Sequence, residues 1–329
     1  MIRISAGFIE ENFSAADFLA NCDEAFSLYG QGMVTMPARK QNVDETERFT
    51  LKMPASIPGY SGYKFIEELP ADESGRLGAR TAVIKLEPED GCVSLDSTRD
   101  TSLVSSDVEL DAEYITNMRT GAAGALGLKY FAPQAKIIAI LGTGKISKAL
   151  ALCAAELGVS KINVYSRRAE NRENFKQELV KHSVSNIILH DSIVSAISNT
   201  EAILTAVPTP EPILFYKDLP VDVFIAAMGG DSRTAQLDRE ILERALVVPD
   251  NEAQCQKSGE FKKALAEGYY KNINFAKIGG RTANIGDAAL GRLKPASGVK
   301  VAYFTGLAVQ DINAAKMVFE SFTNKRQNI

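Results

Sequence analysis

From Lys136 to Asp250 short apolar runs alternate with helix-patterned stretches, and this alternation constrains the fold more than any other feature of the 329 residues. The runs are "KIIAIL", "KINVYS", "NIILH", "EAILTAV", "VDVFIAAM" and "LVVPD", with helical patterns over 146–157, 169–182, 192–199 and 238–245. Strands joined through helices return to the same end of a sheet and pair in parallel. The expected class is therefore α/β, a doubly wound parallel sheet.

The first strand of this region runs into "GTGKIS", with Gly142 and Gly144 in the first two positions of a GxGxxG-type loop, Lys145 and Ile146 opening a helix, and Ser147 in the third position. The first glycine permits a tight turn and the second lets backbone approach a pyrophosphate. The helix that follows offers free N–H groups and a positive dipole end to that anion. A glycine turn alone occurs in many α/β proteins, but between a strand and a helix it points to dinucleotide binding. The next strand ends on Ser166, Arg167 and Arg168, where an acidic residue would accept from the ribose 2'-hydroxyl of NAD. A guanidinium instead grips a 2'-phosphate through paired charge-assisted hydrogen bonds. NADP (NADPH) is the expected cofactor, ahead of NAD.

Outside this region the texture changes. Ser14 followed by Asp17 marks a helix start, after which Phe18, Cys22, Ala25, Phe26 and Tyr29 recur at helical spacing. From Arg48 to Leu86 the runs "RFTLKMPA", "GYKFIEEL" and "RTAVIKLEP" suggest an antiparallel sheet. A long helix is expected around "DAEYITNMRTGAAGALGLKYFA". Its Gly121 and Gly124 cost helix stability and so imply tight packing or a ligand nearby. The segment "VAYFTGLAVQDINAAKMVFESF" reads as a turn and then an amphipathic helix with Ala308, Ile312, Ala315, Val318 and Phe319 on one side.

Composition removes several function classes. A formal charge of -4 with no long Lys/Arg run gives no footprint for nucleic acid. No run approaches the roughly 18 apolar residues of a membrane span, and Glu10, Glu11 and Asp17 stand where a signal peptide would be apolar. A cytoplasmic protein with no membrane partner is expected. Cys22, Cys92, Cys153 and Cys255 are scattered, and His182 and His190 are the only imidazoles, so no metal site is expected. Cys153, inside an apolar helical run, reads as a packed core thiol.

Taken in order, "MPARK", "LKMPASIPGYSGYKFI", "TNMRTGAAGALGLKYFA", "ILGTGKISKAL", "TAVPTPEPIL", "AAMGGDSRTAQLD", "VVPDNEAQC" and "GLAVQDI" resemble the ornithine cyclodeaminase and mu-crystallin family over nearly the whole chain. The resemblance implies a homodimer of two-domain subunits. A dimerisation and substrate-binding α+β domain over 1–117, completed by 307–329, would accompany a Rossmann domain over 118–306. Family members include cyclodeaminases, alanine dehydrogenases, reductases of cyclic ketimines and other imino acids, and a lens crystallin that binds NADPH. Fold does not choose among them.

By resemblance, Asp231 is the acid that protonates an imine nitrogen, with Gly229 and Gly230 allowing close backbone approach. Arg39 and Lys64 are expected to hold the substrate carboxylate, Lys64 with a catalytic role as well. Read from its strand alone, Lys64 faces either solvent or a ligand, and Lys40 competes with Arg39. Arg119 resembles an arginine that contacts cofactor phosphate or substrate, and Thr81 a residue near the nicotinamide. Thr205, Ala206, Val207 and Met228 end Rossmann strands and should line the cofactor, while Thr305 and Gly306 would border the substrate. Cyclodeaminases place an acidic residue shortly before the "MPA" segment, where this chain has Leu51 and Lys52. Net reduction of an α-imino acid with NADPH, or its reverse, is thus preferred to an ornithine cyclodeaminase-type lyase or a non-catalytic NADPH carrier.

Overall fold

The computed structural model describes residues 1–70, 79–89, 107–230, 232–293 and 296–327. It divides into one unit of Met1–Arg119 with Leu307–Ile329 and a second of Thr120–Gly306. The first opens with β1 (Ile2–Ile4), α1 (Ala6–Asn12) and α2 (Ala15–Gln31). Ser14 and Asp17 form the capping box expected for α2, each side chain bonded to the other's backbone N–H. Strands β2 (Lys40–Val43), β3 (Phe49–Ile57), β4 (Tyr60–Glu68), β5 (Arg80–Pro88) and β6 (Val108–Asp111) follow. They form a sheet of order β1-β6-β5-β4-β3-β2, antiparallel except for the β1–β6 pair. Met53, Ala55 and Ile57 of β3 and Tyr60, Lys64 and Ile66 of β4 are buried, the period of two that a half-covered sheet requires.

Helix α3 (Glu113–Phe131) carries the chain from the first unit into the second. In the second unit β7 (Ile137–Leu141), α4 (Lys145–Glu156), β8 (Lys161–Tyr165), α5 (Ala169–Lys181), β9 (Ile187–His190), α6 (Ile193–Ile197) and β10 (Ala202–Thr205) follow the expected alternation. Then come β11 (Val223–Met228), α7 (Arg239–Arg244), β12 (Leu246–Pro249), α8 (Glu252–Cys255), α9 (Gly259–Ala266), the hairpin β13 (Lys277–Ile278) and β14 (Arg281–Thr282), α10 (Ile285–Ala289) and β15 (Val299–Phe304). The sheet order is β12-β15-β11-β10-β7-β8-β9 with every pairing parallel. Strand order reverses beside β7, which makes the carboxyl ends of β7 and β10 the switch point where such sheets take ligands. The glycines of α3 serve packing: a Cβ on Gly121 would lie 2.5 Å from Ala149, and one on Gly124 would lie 2.4 Å from Leu150.

One expectation is corrected here. "VAYF" is the end of β15, inserted between β11 and β12, and not a turn. All six residues of β15 are buried, including Lys300, which pairs with Asp222 at 2.5 Å. A strand covered on both faces loses the alternation by which strands are recognised, and a lysine in it hides the run further. Helix α11 (Ala308–Gln327) follows and packs on α2, β3, β4 and β5 of the first unit, with Ile312, Ala315, Val318 and Phe319 buried. Cys153 is buried in α4 and forms no disulfide among the described residues. Among the described residues no helix is long and apolar enough to cross a membrane.

Candidate functional site

The loop after β7 has the shape its glycines suggested. Gly142 has φ +102°, and its N–H donates to the Tyr165 carbonyl at 2.9 Å, bringing the end of β8 alongside. A Cβ at Gly142 would meet the Ala206 carbonyl oxygen and Ser147 Oγ, each at 3.0 Å. Gly144 is the N-cap of α4 and supplies no side-chain cap, and no atom approaches within 4 Å of where its Cβ would stand. Lys145 is exposed, Ile146 half-buried, and the buried Ser147 Oγ has no hydrogen-bond partner among the described residues. An uncapped N-terminus of a three-turn helix, an open approach and an unused hydroxyl fit a dinucleotide phosphate.

At the end of β8, Ser166 is half-buried while Arg167 and Arg168 are exposed, and no carboxylate pairs with either arginine among the described residues. Arg168 is the N-cap of α5, where a cation opposes the helix dipole. A third arginine, Arg172, is spoken for: it is buried and donates to the Ser166 carbonyl at 2.6 Å and to Asp191 at 2.5 Å. It holds the turn that presents the other two.

The carboxyl ends of β10 and β11 are joined by Gln236. Its Oε1 accepts from Thr205 Oγ1 at 2.8 Å and the Val207 N–H at 2.9 Å, and its Nε2 donates to the Met228 carbonyl at 2.9 Å. Ala206, Val207 and Met228 are half-buried, whereas Thr205 is buried and its hydroxyl committed. Gly229 and Gly230 are small because of their neighbours: a Cβ would stand 2.0 Å from the Tyr303 hydroxyl or 2.9 Å from the Thr305 carbonyl oxygen. Asp231 lies outside the described residues. Thr305 and Gly306 wrap around buried Asp250, which accepts from the Thr305 N–H at 2.6 Å, its hydroxyl at 2.9 Å and the Gly306 N–H at 2.9 Å. Burial pushes the Asp250 carboxyl up, and these donors pull it back down.

The first unit holds a separate charged cluster. Lys64 Nζ donates to Asp311 Oδ1 at 2.8 Å, and Arg119 Nε donates to the same oxygen at 2.9 Å. Lys64 is 1% exposed, Arg119 5% and Asp311 0%. Lys64 lies in phase with Tyr60 and Ile66 on the core side of β4, so of its two expected surroundings, solvent is excluded. Burial lowers its pKa to about 7, helped by repulsion from Arg119 and opposed by Asp311. Gln310 steadies Arg119, accepting from Nη1 at 3.5 Å and donating to its carbonyl at 3.4 Å, while its Nε2 also donates to Cys22 Sγ at 3.2 Å. Burial pushes the Cys22 thiol up to about 12. Arg39 is half-buried just before β2, next to exposed Lys40, and Thr81 is exposed on β5. Lys52 is exposed with Nζ 3.7 Å from the Tyr63 ring centroid.

The family model for the ornithine cyclodeaminase/mu-crystallin family matches residues 1–326. The chain belongs to this family. Among family relatives, the alanine dehydrogenase of Archaeoglobus fulgidus is 27% identical over 326 residues, covering 96% of this chain and 94% of its own. A delta(1)-pyrroline-2-carboxylate reductase of Bacillus cereus is 30% identical over 217 residues, 64% of this chain and 65% of its own. A solved archaeal alanine dehydrogenase dimer with bound NAD shares the fold, with a TM-score of 0.83, 24% identity, and coverage of 99% of this chain and 97% of that one.

The family resemblance pointed to Lys64 and Arg119 but not to Asp311. The signal was available: a lysine in register with buried Tyr60 and Ile66 needs an anion, and Asp311 falls on the same helical face as Ala308, Ile312 and Ala315. Gln236 and Asp250 sit inside recognised motifs, yet the partners that matter to the strand ends, Thr205 for Gln236 and Thr305 for Asp250, are distant in sequence and no spacing reveals them.

Proposed function

We propose that this chain reduces the C=N bond of an α-imino acid to an L-amino acid, or runs the reverse oxidation, with NADP(H) as the preferred coenzyme. It is an oxidoreductase of CH–NH or CH–NH2 bonds, as its named relatives are. The observation that carries the substrate class is the charge balance around Asp311: two cations share one oxygen of one carboxylate, leaving one positive charge over when Lys64 is protonated. An α-carboxylate would complete the balance. In this reading Arg119 and Lys64 fix that carboxylate, with Arg39 as a further anchor. Asp231 gives its proton to the imine nitrogen, which makes the adjacent carbon electron-poor.

Gly142, Gly144, Lys145, Ile146 and the N-terminus of α4 would hold the coenzyme pyrophosphate. Ser166, Arg167 and Arg168 would hold the 2'-phosphate, and Thr205, Ala206, Val207 and Met228 the nicotinamide end, with Thr81 nearby. When bound, a reduced nicotinamide supplies the hydride. Thr305 and Gly306 would border the substrate, held in place by Asp250. A homodimer is proposed on the likeness to the archaeal dimer. The cyclodeaminase reading loses weight because this chain has Leu51 and Lys52 where, by the family resemblance, cyclodeaminases carry an acidic residue for a diamino acid's distal ammonium.

The test is a panel of pyruvate with ammonia, pyrroline-2-carboxylate and piperideine-2-carboxylate, each with both nicotinamides. Turnover of an imino acid at a higher kcat/KM with NADPH is expected. Release of ammonia from a diamino acid with no net nicotinamide change would mean a lyase, and tight NADPH binding with no turnover would mean a carrier.

A further inference from the structure

The phenol of Tyr303, in β15, meets two oxygens at once: the Gly229 carbonyl at 3.2 Å and Oε2 of Glu260. The other carboxyl oxygen of Glu260 accepts from the Gln236 N–H at 2.6 Å and the Leu237 N–H at 3.3 Å. Glu260 is 2% exposed and Tyr303 0%, and no lysine or arginine pairs with Glu260 among the described residues. The proton count is decisive. A carbonyl brings no proton and a phenol brings one. A Glu260 carboxylate would therefore leave one of the two oxygen–oxygen contacts as lone pair against lone pair, in a site without water's screening. One proton on Oε2 fills both contacts: Glu260 donates to the phenol oxygen, and the phenol donates to Gly229. The Ser258 hydroxyl lies beside the phenol, and as a donor to the phenol oxygen it places no proton in either of the two contacts, so it does not alter the count.

We propose that Glu260 is kept as a neutral carboxylic acid and acts as a positioning residue, spanning Gly229, Gln236 and Leu237 and so fixing both ends of the segment that follows β11. Burial favours the protonated form of Glu260 and of Tyr303 alike. Among the described residues, Cys255 and Tyr269 also couple to this pair, and neither is a cation. Because Gln236 ties Thr205, Val207 and Met228 together, the acid also sets the ends of β10 and β11. That last consequence rests on the coenzyme reading above; the protonation state does not.

The test compares the wild-type chain with Glu260→Gln in urea unfolding between about pH 5.5 and about pH 7.5. A folded state that keeps a proton the unfolded chain releases loses stability as pH rises. The wild-type folding constant should fall relative to the glutamine variant by up to about tenfold per pH unit across this window. A difference that does not change with pH overturns the neutral acid. Should the variant fail to fold, infrared spectroscopy of the wild-type protein decides, since absence of a protonated carboxyl band at neutral pH overturns the proposal equally. For the positioning role, Glu260→Gln should bind NADPH within about threefold of wild type and Glu260→Ala roughly tenfold or more weaker. Equal weakening would sink it. A wild-type protein that binds neither nicotinamide removes the coenzyme reading, while the unfolding comparison still reports the proton.

Discussion

Lys64 and Arg119 donate to the same oxygen of Asp311, at 2.8 and 2.9 Å, and the second oxygen of that carboxylate accepts from no group among the described residues. Strand β4, helix α3 and helix α11 are thereby tied at one atom. The orphaned oxygen shows that the pair is not arranged for maximum stability, since a buried carboxylate with an empty lone pair forgoes part of what it lost on desolvation.

Asp311→Asn should be strongly destabilising. It leaves two adjacent cations in a dry site with no anion, the case in which removing one partner of a buried pair costs about 3–5 kcal/mol. Chemical unfolding of the variant checks this. A loss under about 1 kcal/mol would mean that water or another carboxylate takes over.

Lys64 sets a pH dependence with a definite sign. Its pKa in the folded chain is about 7 against 10.5 for the free group, so between those values the folded state binds fewer protons than the unfolded one. Stability should therefore rise with pH across that window, by up to about 1.4 kcal/mol per unit, and be indifferent to this residue below it. Lys64→Met should abolish the rise. Affinity for an anionic substrate should move the opposite way, with KM for pyrroline-2-carboxylate climbing as pH passes about 7 and Lys64 loses its charge. A KM profile that Lys64→Met leaves unchanged would remove Lys64 from substrate binding.

Gly142→Ala tests the loop proposed to hold the coenzyme pyrophosphate. The position has φ +102°, and the added Cβ would stand 3.0 Å from both the Ala206 carbonyl oxygen and Ser147 Oγ. Strain of about 1–3 kcal/mol is expected, with coenzyme affinity reduced roughly tenfold or more because the loop must shift. Calorimetric titration with NADPH reads the second effect. Unchanged affinity would place the coenzyme elsewhere.

The sequence carried the alternating region well because each parallel strand there is a short apolar run closed by a glycine, a proline-rich loop or a helix start, and β7 to β12 lie within a few residues of their expected bounds. Within the parallel sheet the strand that escaped, β15, is the one whose run contains Lys300, paired with Asp222 far along the chain. The same limit governs the site. Gly142 and Arg167 are recognisable because their meaning is local, a turn and a strand end. Asp311 and Glu260 pair with residues tens to hundreds of positions away, and Gln236 reaches Thr205 and Val207 as well as nearby Met228; local pattern marks Asp311 as facing the core but does not name its partners.

Arg167 and Arg168 give the sharpest discrimination of the coenzyme proposal. Both are exposed and neither is engaged by a carboxylate among the described residues, whereas the neighbouring Arg172 is consumed by Ser166 and Asp191. An arginine that braces the turn would affect either nicotinamide alike; arginines free to meet a 2'-phosphate should distinguish them. The double variant Arg167→Ala with Arg168→Ala is expected to bind NADPH roughly 10- to 100-fold more weakly, the loss of one or two charge-assisted contacts, while NADH affinity changes by less than about threefold. Arg172→Ala should instead weaken both coenzymes together, because the Ser166 turn itself loosens. Titrations of the three proteins with both nicotinamides separate these outcomes. Equal loss for NADPH and NADH in the double variant would mean that the pair only flanks the adenosine, and the proposed preference for NADPH would fall.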